Sequence, residues 1–116
     1  MAQTINTITN NGIFQVCEAE FTSVSDTEIK ADLSHCKEPI TVIIDVPSDA
    51  SDAKLICNSA EKGFSDKAIQ LIAGKLNVFR METKGFKDHE GFVTFATEGL
   101  NGAKIAFLKY SAVINH

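Results

Sequence analysis

The sequence predicts an all-β fold, a two-sheet antiparallel sandwich of jelly-roll or Greek-key type with about eight strands. Short apolar runs rich in β-branched and aromatic residues recur along the chain, and Gly, Pro, Asn, Asp and Ser separate them. No segment shows a helical period over a convincing length. Regular short strands with turn signals between them are typical of sandwiches and barrels. The clearest runs are residues 40–46, 54–57, 68–72, 76–82, 92–97 and 104–110.

The first third of the chain predicts less regular structure. Residues 1–12 are polar and rich in Thr and Asn, which indicates a flexible N-terminal arm or a weak first strand. Residues 13–116 then form a single β-sandwich domain, since 116 residues suit one core. Residues 13–22 are expected to form a strand. Residues 27–33 fit either a short strand or one helical turn.

Turn residues fix the expected limits of the later strands. The first clear strand begins at Ile40, just after Pro39, and ends at Pro47, which cannot donate a ladder hydrogen bond. Residues 73–75, Ala-Gly-Lys, separate two apolar runs and predict a hairpin. The predicted core comprises Val42, Ile44, Leu55, Leu71, Val78, Phe95 and Phe107.

Alternation in the late strands places apolar side chains on both faces. In residues 75–82, Leu76 and Val78 share one face, while Asn77, Phe79 and Met81 share the other. The strand at residues 104–110 has the same property. Such strands suit the middle of a sheet and leave hydrophobic surface for self-association or for docking on a larger assembly.

Charge and cysteine content limit the classes of partner and the cellular compartment that we expect for this chain. The formal net charge is −4 with a pI near 5.3, the lysines are scattered, and Arg80 is the single arginine, so nucleic acid is not an expected partner. No apolar run is long enough to span a bilayer, and we expect no membrane partner. Three cysteines cannot all pair within one chain, so we expect reduced, dispensable thiols in a soluble protein made in the cytoplasm.

Two groups of acidic residues are candidate sites. Glu18 and Glu20 share a face of their predicted strand, which is more simply a solvated face than a catalytic pair. Asp45, Asp49 and Asp52 lie along one loop and could hold Ca²⁺, which prefers several oxygen ligands. Their spacing lacks the EF-hand pattern, and turn residues that cap their own backbone are the simpler interpretation.

The remaining motifs are weaker. His35 and Cys36 could form a zinc site with Cys57, but a second close pair of ligands is missing. The pairs Ser34-His35 and Asp88-His89 resemble parts of a triad, yet Ser34 lacks a Gly-x-Ser-x-Gly context. Residues 73–76 lack the earlier Gly and the later Ser or Thr of a phosphate loop. The sequence therefore predicts a non-enzymatic protein with no catalytic, cofactor-binding or metal-binding residues.

The order of the elements resembles a known family. The residues that carry the likeness are Asp26-Thr27 after the first strand, Ala73-Gly74-Lys75, Glu82 followed by Phe86-Lys87, Gly91-Phe92-Val93-Thr94-Phe95, and Lys104-Ile105-Ala106-Phe107-Leu108. In this order the chain resembles the small β-sandwich structural proteins that tailed bacteriophages place on their heads, of the head decoration or head fibre type. The resemblance covers most of residues 21–110. It implies a virion structural protein without catalytic or cofactor residues.

Two classes of function follow from the sequence. The preferred one is a structural protein of a tailed phage or prophage, made in the host bacterial cytoplasm and located in the virion, that decorates or stabilises the capsid surface. Its partners would be a capsid or other virion protein and further copies of the chain. The alternative is a β-sandwich ligand-binding module for carbohydrate or host-surface recognition, with its site in loops at one end. Trp is absent and Tyr110 is the single Tyr, which disfavours a sugar platform.

Overall fold

The computed structural model describes residues 2–10 and 16–111, and within them the chain forms ten strands and no helix. The strands pack as two sheets. The strands are β1 (Gln3–Ile5), β2 (Thr7–Asn10), β3 (Thr22–Ser23), β4 (Glu28–Asp32), β5 (Cys36–Asp45), β6 (Lys54–Cys57), β7 (Lys67–Gln70), β8 (Leu76–Met81), β9 (Phe92–Glu98) and β10 (Lys104–Ser111). The first sheet has the order β1-β4-β9-β6-β7, and the second has the order β2-β10-β5-β8, with β3 also paired to β10.

The predicted all-β, two-sheet class is confirmed. The sheets are mixed rather than purely antiparallel, because β1 runs parallel to β4 and β2 runs parallel to β10. Both parallel pairs come from the N-terminal segment. No helix in the described part of the chain is long and apolar enough to cross a membrane.

Of the two alternatives for residues 1–12, a flexible arm or a weak strand, the structure shows strands in residues 2–10, the part of this segment that it describes. Residues 2–10 contribute one strand to each sheet, and Ile5 is buried in the core. The Gln3 side chain also donates to the carbonyl of Ser23 at 2.8 Å and accepts from the N–H of Ser25 at 2.9 Å. These tertiary contacts compensate for a weak local pattern, because residues distant in sequence supply the bonds and the apolar neighbours.

The strand expected over residues 13–22 is wrong for the part that is described. Residues 16–21 have no regular structure, and β3 overlaps the predicted strand only at Thr22. Residues 13–15 lie outside the described residues. Val16 is 99% exposed, so its position in an apolar run does not reflect burial. The ambiguity over residues 27–33 resolves in favour of strand β4, whose Ile29 and Ala31 face the core.

Strand β5 begins before Pro39 rather than after it. Its ten residues start at Cys36, and the ladder with β10 shifts register between Leu108 and Tyr110, close to the proline. On the other side, the pairing with β8 ends at Ile40 and Met81. Pro39 therefore lies where both ladders are irregular or absent, which is where a strand tolerates a missing N–H.

The hairpin predicted at residues 73–75 is also wrong, although the turn exists. Gly74 has a φ of 74° and donates its N–H to the carbonyls of Val46 and Pro47. However, β7 pairs with β6 in the first sheet, and β8 pairs with β5 in the second. The turn carries the chain from one sheet to the other, a distinction that a short Gly-containing connection does not encode.

The core lies between the two sheets. Six of the seven predicted core residues are buried, and the stacked rings of Phe95 and Phe107, with centroids 5.1 Å apart, join the sheets at its centre. Val78 is the error, since it is 60% exposed. Strand β8 turns Phe79 and Met81 toward the core instead, because those larger side chains fill the space against the first sheet.

Candidate functional site

A cleft lies among loops at one end of the sandwich and is here named the loop-end cleft. Its volume is about 510 Å³, within the usual range of small-molecule sites. It lies where the connections β3–β4, β5–β6 and β9–β10 meet. Its lining is Ser25, Asp26, Thr27, Pro47, Asp49, Ala50, Ser51, Thr97, Gly99, Leu100 and Asn101.

Hydrogen bonds from the end of β9 hold one wall of the cleft. Thr97 donates its hydroxyl to the carbonyl of Asp26 at 3.0 Å and its N–H to the carbonyl of Thr27 at 2.8 Å. Val24 and Ala103 are joined by a 2.7 Å bond, which ties the β9–β10 connection to the same wall. Hydrogen bonds to a sheet residue therefore hold these loops in place, in addition to the bonds between the loops themselves.

The opposite wall approaches the β9–β10 turn closely at Gly99. This residue has a φ of 67°, and a Cβ built on it would lie 2.8 Å from the carbonyl oxygen of Ser51. A side chain here would force the two loops apart and change the cleft. The Gly at this position thus sets the width of the site.

The chemistry of the loop-end cleft is that of hydrogen bonding. Asp26 and Asp49 supply carboxylates, and Ser, Thr and Asn side chains supply both donors and acceptors. No Lys, Arg or His belongs to the described lining. Such a surface suits a ligand rich in hydroxyl groups or carrying positive charge, and it does not suit an anion.

The calcium candidate on this side of the molecule does not assemble. Asp45 lies at the end of β5, Asp49 lines the loop-end cleft, and Asp52 has a φ of 54° and pairs with Lys54 at 3.4 Å. No group of three His, Cys, Asp or Glu side chains within residues 2–10 and 16–111 is arranged to hold a metal ion.

The other acidic candidate, Glu18 with Glu20, also remains unassembled. Both residues lie in the irregular segment before β3, and both are exposed. They are not on a strand, so the shared face inferred from alternation does not exist.

Ser34 and His35 lie in the turn between β4 and β5. Ser34 donates its hydroxyl to Asp32 at 2.6 Å and its N–H to the same carboxylate at 3.0 Å. The hydroxyl bond is the main cause, ahead of the backbone bond, that lowers the pKa of Asp32 below its ordinary 3.8. Exposed His35 adopts a φ of 53° there. Ser34 thus stabilises a carboxylate in a turn, which is the opposite of being activated as a nucleophile.

The second candidate pair, Asp88-His89, also lies in a turn. Asp88 accepts the N–H groups of Glu90 at 2.8 Å and Phe92 at 3.0 Å, which caps the connection before β9. The His89 side chain is 91% exposed and lies 3.9 Å from Glu90. The Asp88-His89 pair therefore does not supply a base for Ser34.

The zinc candidate is divided between two places. His35 is exposed in the β4–β5 turn and Cys36 is the first residue of β5, whereas Cys57 is buried at the end of β6. Burial, with a smaller contribution from Asp66, raises the pKa of the Cys57 thiol to about 12. A thiol of this kind stays protonated at neutral pH and acts as a small apolar side chain. Cys17 and Cys57 are both free thiols.

Sequence reasoning missed the residues that do converge, namely those of the loop-end cleft. Ser25, Asp26 and Thr27 lie at least seventy positions before Thr97 and Asn101, and nothing local links the two groups. The signal that was available was a set of small polar loops with glycines at residues 99 and 102. That signal indicates turns but does not indicate which turns meet.

Comparison of the chain with protein-family models, with curated proteins and with solved structures found no match. Function must therefore be inferred from the geometry of this chain.

A second feature is the outer face of the second sheet. The register of β8, β5, β10 and β2 places Val78 beside Ile43, Ile43 beside Ala106, and Leu108 beside Ile8. Val78 and Leu76 are 60% and 61% exposed, Ile8, Ile43 and Leu108 are half-buried, and Ala106 is buried. An apolar band therefore crosses four strands on the side that faces away from the core. We call these residues the outer apolar band.

Proposed function

We propose that this chain is a non-enzymatic structural protein that docks on a larger assembly, and that the assembly is the virion of a tailed phage or prophage. The observation that carries the docking proposal is the outer apolar band. The resemblance in element order to phage head proteins is the reason for proposing a virion as that assembly.

The outer apolar band supports docking because burial within the chain does not account for it. A soluble sheet that is packed on one side normally alternates apolar and polar side chains, with the polar ones outward. In the second sheet, Ile43 and Val78 lie side by side on the outward face instead. Neighbouring apolar positions of this kind mark interaction sites more often than isolated exposed ones.

The opposite face of the molecule differs from this band in how far its apolar side chains are exposed. Lys30 and Lys54 lie on the outer face of the first sheet together with Phe92, Ile56 and Ala96, and Lys30 Nζ lies 5.2 Å from the centre of the Phe92 ring. Phe92, Ile56 and Ala96 are half-buried, whereas Leu76 and Val78 on the second sheet are 61% and 60% exposed. Of the two outer faces, the second therefore exposes its large apolar side chains more, which favours it as the docking face.

The test is co-sedimentation of the purified chain with phage particles produced from the genome that encodes it. Leu108→Lys is the informative variant, because Leu108 is a half-buried member of the outer apolar band on the central strand β10. Thr94→Lys is its matched control, because Thr94 is half-buried on the outer face of β9, which is central in the first sheet. Binding that Leu108→Lys abolishes and Thr94→Lys preserves supports the proposal.

Failure of the unmodified chain to bind particles, or equal loss in both folded variants, would contradict the proposal. Circular dichroism of each variant checks folding first. Particles that lack the chain, because its gene has been deleted, provide a second test. If the chain stabilises the capsid, these particles should release their packaged nucleic acid earlier on heating than complete particles do.

The loop-end cleft supports a second candidate, a module that binds carbohydrate or another polyhydroxylated host-surface ligand. The supporting observation is the convergence of Asp26, Asp49 and Asn101 with several hydroxyl groups in about 510 Å³. Titration of the labelled chain with a glycan panel tests it by NMR. Shifts confined to the cleft and weakened by Asp49→Asn favour this function, while shifts absent at millimolar glycan exclude it.

A further inference from the structure

We propose that strand β8 pairs antiparallel with β8 of a second copy of this chain, about a two-fold axis at Val78, so that the two second sheets become one continuous sheet. This inference goes beyond the proposed docking function and does not depend on it. It rests on the edge of the second sheet, not on its face.

The four sheet edges differ in how they resist pairing. Three are short: β1 has three residues, β2 has four, with two more in β3, and β7 has four. Lys67 on β7 is paired with Cys57, so it lies on the inward face and places a charge at that edge. Short strands and inward charges are the usual protection of a sheet edge.

Strand β8 lacks these protections. It is six residues long, contains no proline, and its one charge, Arg80, is paired with Thr41 on the outward face. Ile72, Leu76 and Val78, in and beside β8, are 60–65% exposed. A long, exposed and apolar edge strand of this kind is a site where another strand pairs.

The free hydrogen-bonding groups of β8 can be assigned from its register. Val46 donates to the carbonyl of Lys75 at 3.1 Å, and these two residues continue the β5–β8 register by one step. Hydrogen-bonded pairs alternate along an antiparallel ladder, so Asn77, Phe79 and Met81 bond to β5. Leu76, Val78 and Arg80 therefore turn their N–H and C=O groups to the open edge.

This pattern is self-complementary, which selects a second copy as the partner. A two-fold axis at Val78 places Val78 opposite its own counterpart and Leu76 opposite the partner's Arg80. All residues with free groups then face one another, and about six main-chain hydrogen bonds form. The two Arg80 charges lie at opposite ends of the paired segment, and each aliphatic stem covers a Leu76. No like charges are opposed within the pairing.

A cavity at the same edge points to the same partner. It has a volume of about 260 Å³ and lies between β6 and β7 of one sheet and β8 of the other. It is lined by Cys57, Ile69, Phe79, Met81 and Phe86 together with the charged residues Lys67, Arg80 and Glu82. This largely apolar opening lies where a paired β8 from a second copy would cover it. Pairing thus removes apolar surface from water in addition to satisfying the backbone.

Disulfide trapping tests the register. In chains with Cys17 and Cys36 changed to Ser, Val78→Cys is compared with Leu76→Cys and Arg80→Cys under mild oxidation. Opposed residues in a hydrogen-bonded pair have Cα atoms about 5.5 Å apart, which a disulfide can span. The two Leu76 positions are offset by about 13 Å along the strand. We expect Val78→Cys to form dimers, Leu76→Cys and Arg80→Cys to remain monomeric separately, and their mixture to form the heterodimer.

The unmodified chain provides an independent readout through amide hydrogen exchange at increasing protein concentration. The amides of Leu76, Val78 and Arg80 should gain protection with concentration, while those of Asn77 and Phe79 are protected throughout. Cross-linking of Leu76→Cys as fast as Val78→Cys, or exchange independent of concentration together with a monomeric mass, would overturn the proposal. Both assays use the purified chain alone, so their outcome is separate from that of the particle-binding test.

Discussion

The outer faces of the two sheets differ although their inner faces are alike. Buried aliphatic and aromatic side chains cover the inner face of each sheet, as Val93 and Phe95 do on β9 and Ile105 and Phe107 do on β10. Outward, the first sheet mixes charged and polar groups with half-buried Phe92, Ile56 and Ala96, while the second presents the outer apolar band, in which Leu76 and Val78 are 61% and 60% exposed. Because both inner faces are filled from within the chain, core packing does not account for the exposed apolar side chains on the outer face of the second sheet.

The largest expected effect comes from breaking the shared inner face. Phe95→Ala should cost about 3–5 kcal/mol of unfolding free energy, because the ring is fully buried and stacks on Phe107. Phe92→Ala on the same strand should cost far less, because that ring lies on the outer face beneath Lys30. Urea unfolding measures both, and equal losses would show that the inner and outer faces have been assigned wrongly.

The N-terminal strands allow a smaller version of the same test. Ile5→Ala should cost about 2–3 kcal/mol, because Ile5 is buried but lies on an edge strand whose neighbours can relax. Ile8→Ala, a half-buried member of the outer apolar band, should cost under about 1 kcal/mol. Thermal unfolding of the two variants compares them. A flexible arm, in contrast, predicts no loss for either.

The turn between β4 and β5, which holds Ser34, should make the stability of the protein depend on pH. Lys109 of β10 donates to the carbonyl of Ser34 at 2.8 Å, and Ser34 holds the Asp32 carboxylate. Since the folded pKa of Asp32 is lowered, its stabilisation is present above the unfolded pKa and is lost as pH falls through the folded one. Ser34→Ala should therefore cost about 1–2 kcal/mol at pH 7. The difference from the parent should shrink below about pH 4, as measured by urea unfolding across pH, and a difference constant with pH would contradict this account.

The smallest effect on stability is expected at the outer apolar band itself. Val78→Thr should change the free energy of unfolding by less than about 0.5 kcal/mol, because Val78 is 60% exposed. Val42→Thr, on the neighbouring strand β5 and on the core face of the same sheet, places a hydroxyl in the core and should cost about 1–3 kcal/mol. Comparable losses in chemical unfolding would mean that Val78 is covered within the monomer.

The errors in the sequence-based fold have one physical origin. Alternation in β8 shows two apolar faces, Leu76 with Val78 and Phe79 with Met81, and local pattern cannot say which faces the core. The structure selects Phe79 and Met81 because β8 is an edge strand that packs against β6 and β7 through its larger side chains. The turn at Gly74 was likewise recognised, but whether its flanking strands share a sheet depends on distant pairing partners.

The candidate sites were predicted less well than the fold. Ser34, His35, Asp88 and His89 were recognised as chemically capable, and the structure uses Ser34 and Asp88 to cap turns. The loop-end cleft was not recognised, because its walls come from three connections that only the sandwich brings together. The sequence offers small polar residues there, but such residues occur in most of the connections that the structure describes.

The sequence by itself determined the all-β class, the existence of the later strands and most of the core, because those properties depend on local periodicity and residue type. Residues 54–57 show this most directly, since the predicted run and β6 coincide. Only the tertiary structure decided that residues 2–10 form strands in both sheets, that β7 and β8 lie in different sheets, and that Val78 faces outward. Those choices depend on which distant surfaces compete for the same space and hydrogen bonds, and no local pattern records that competition.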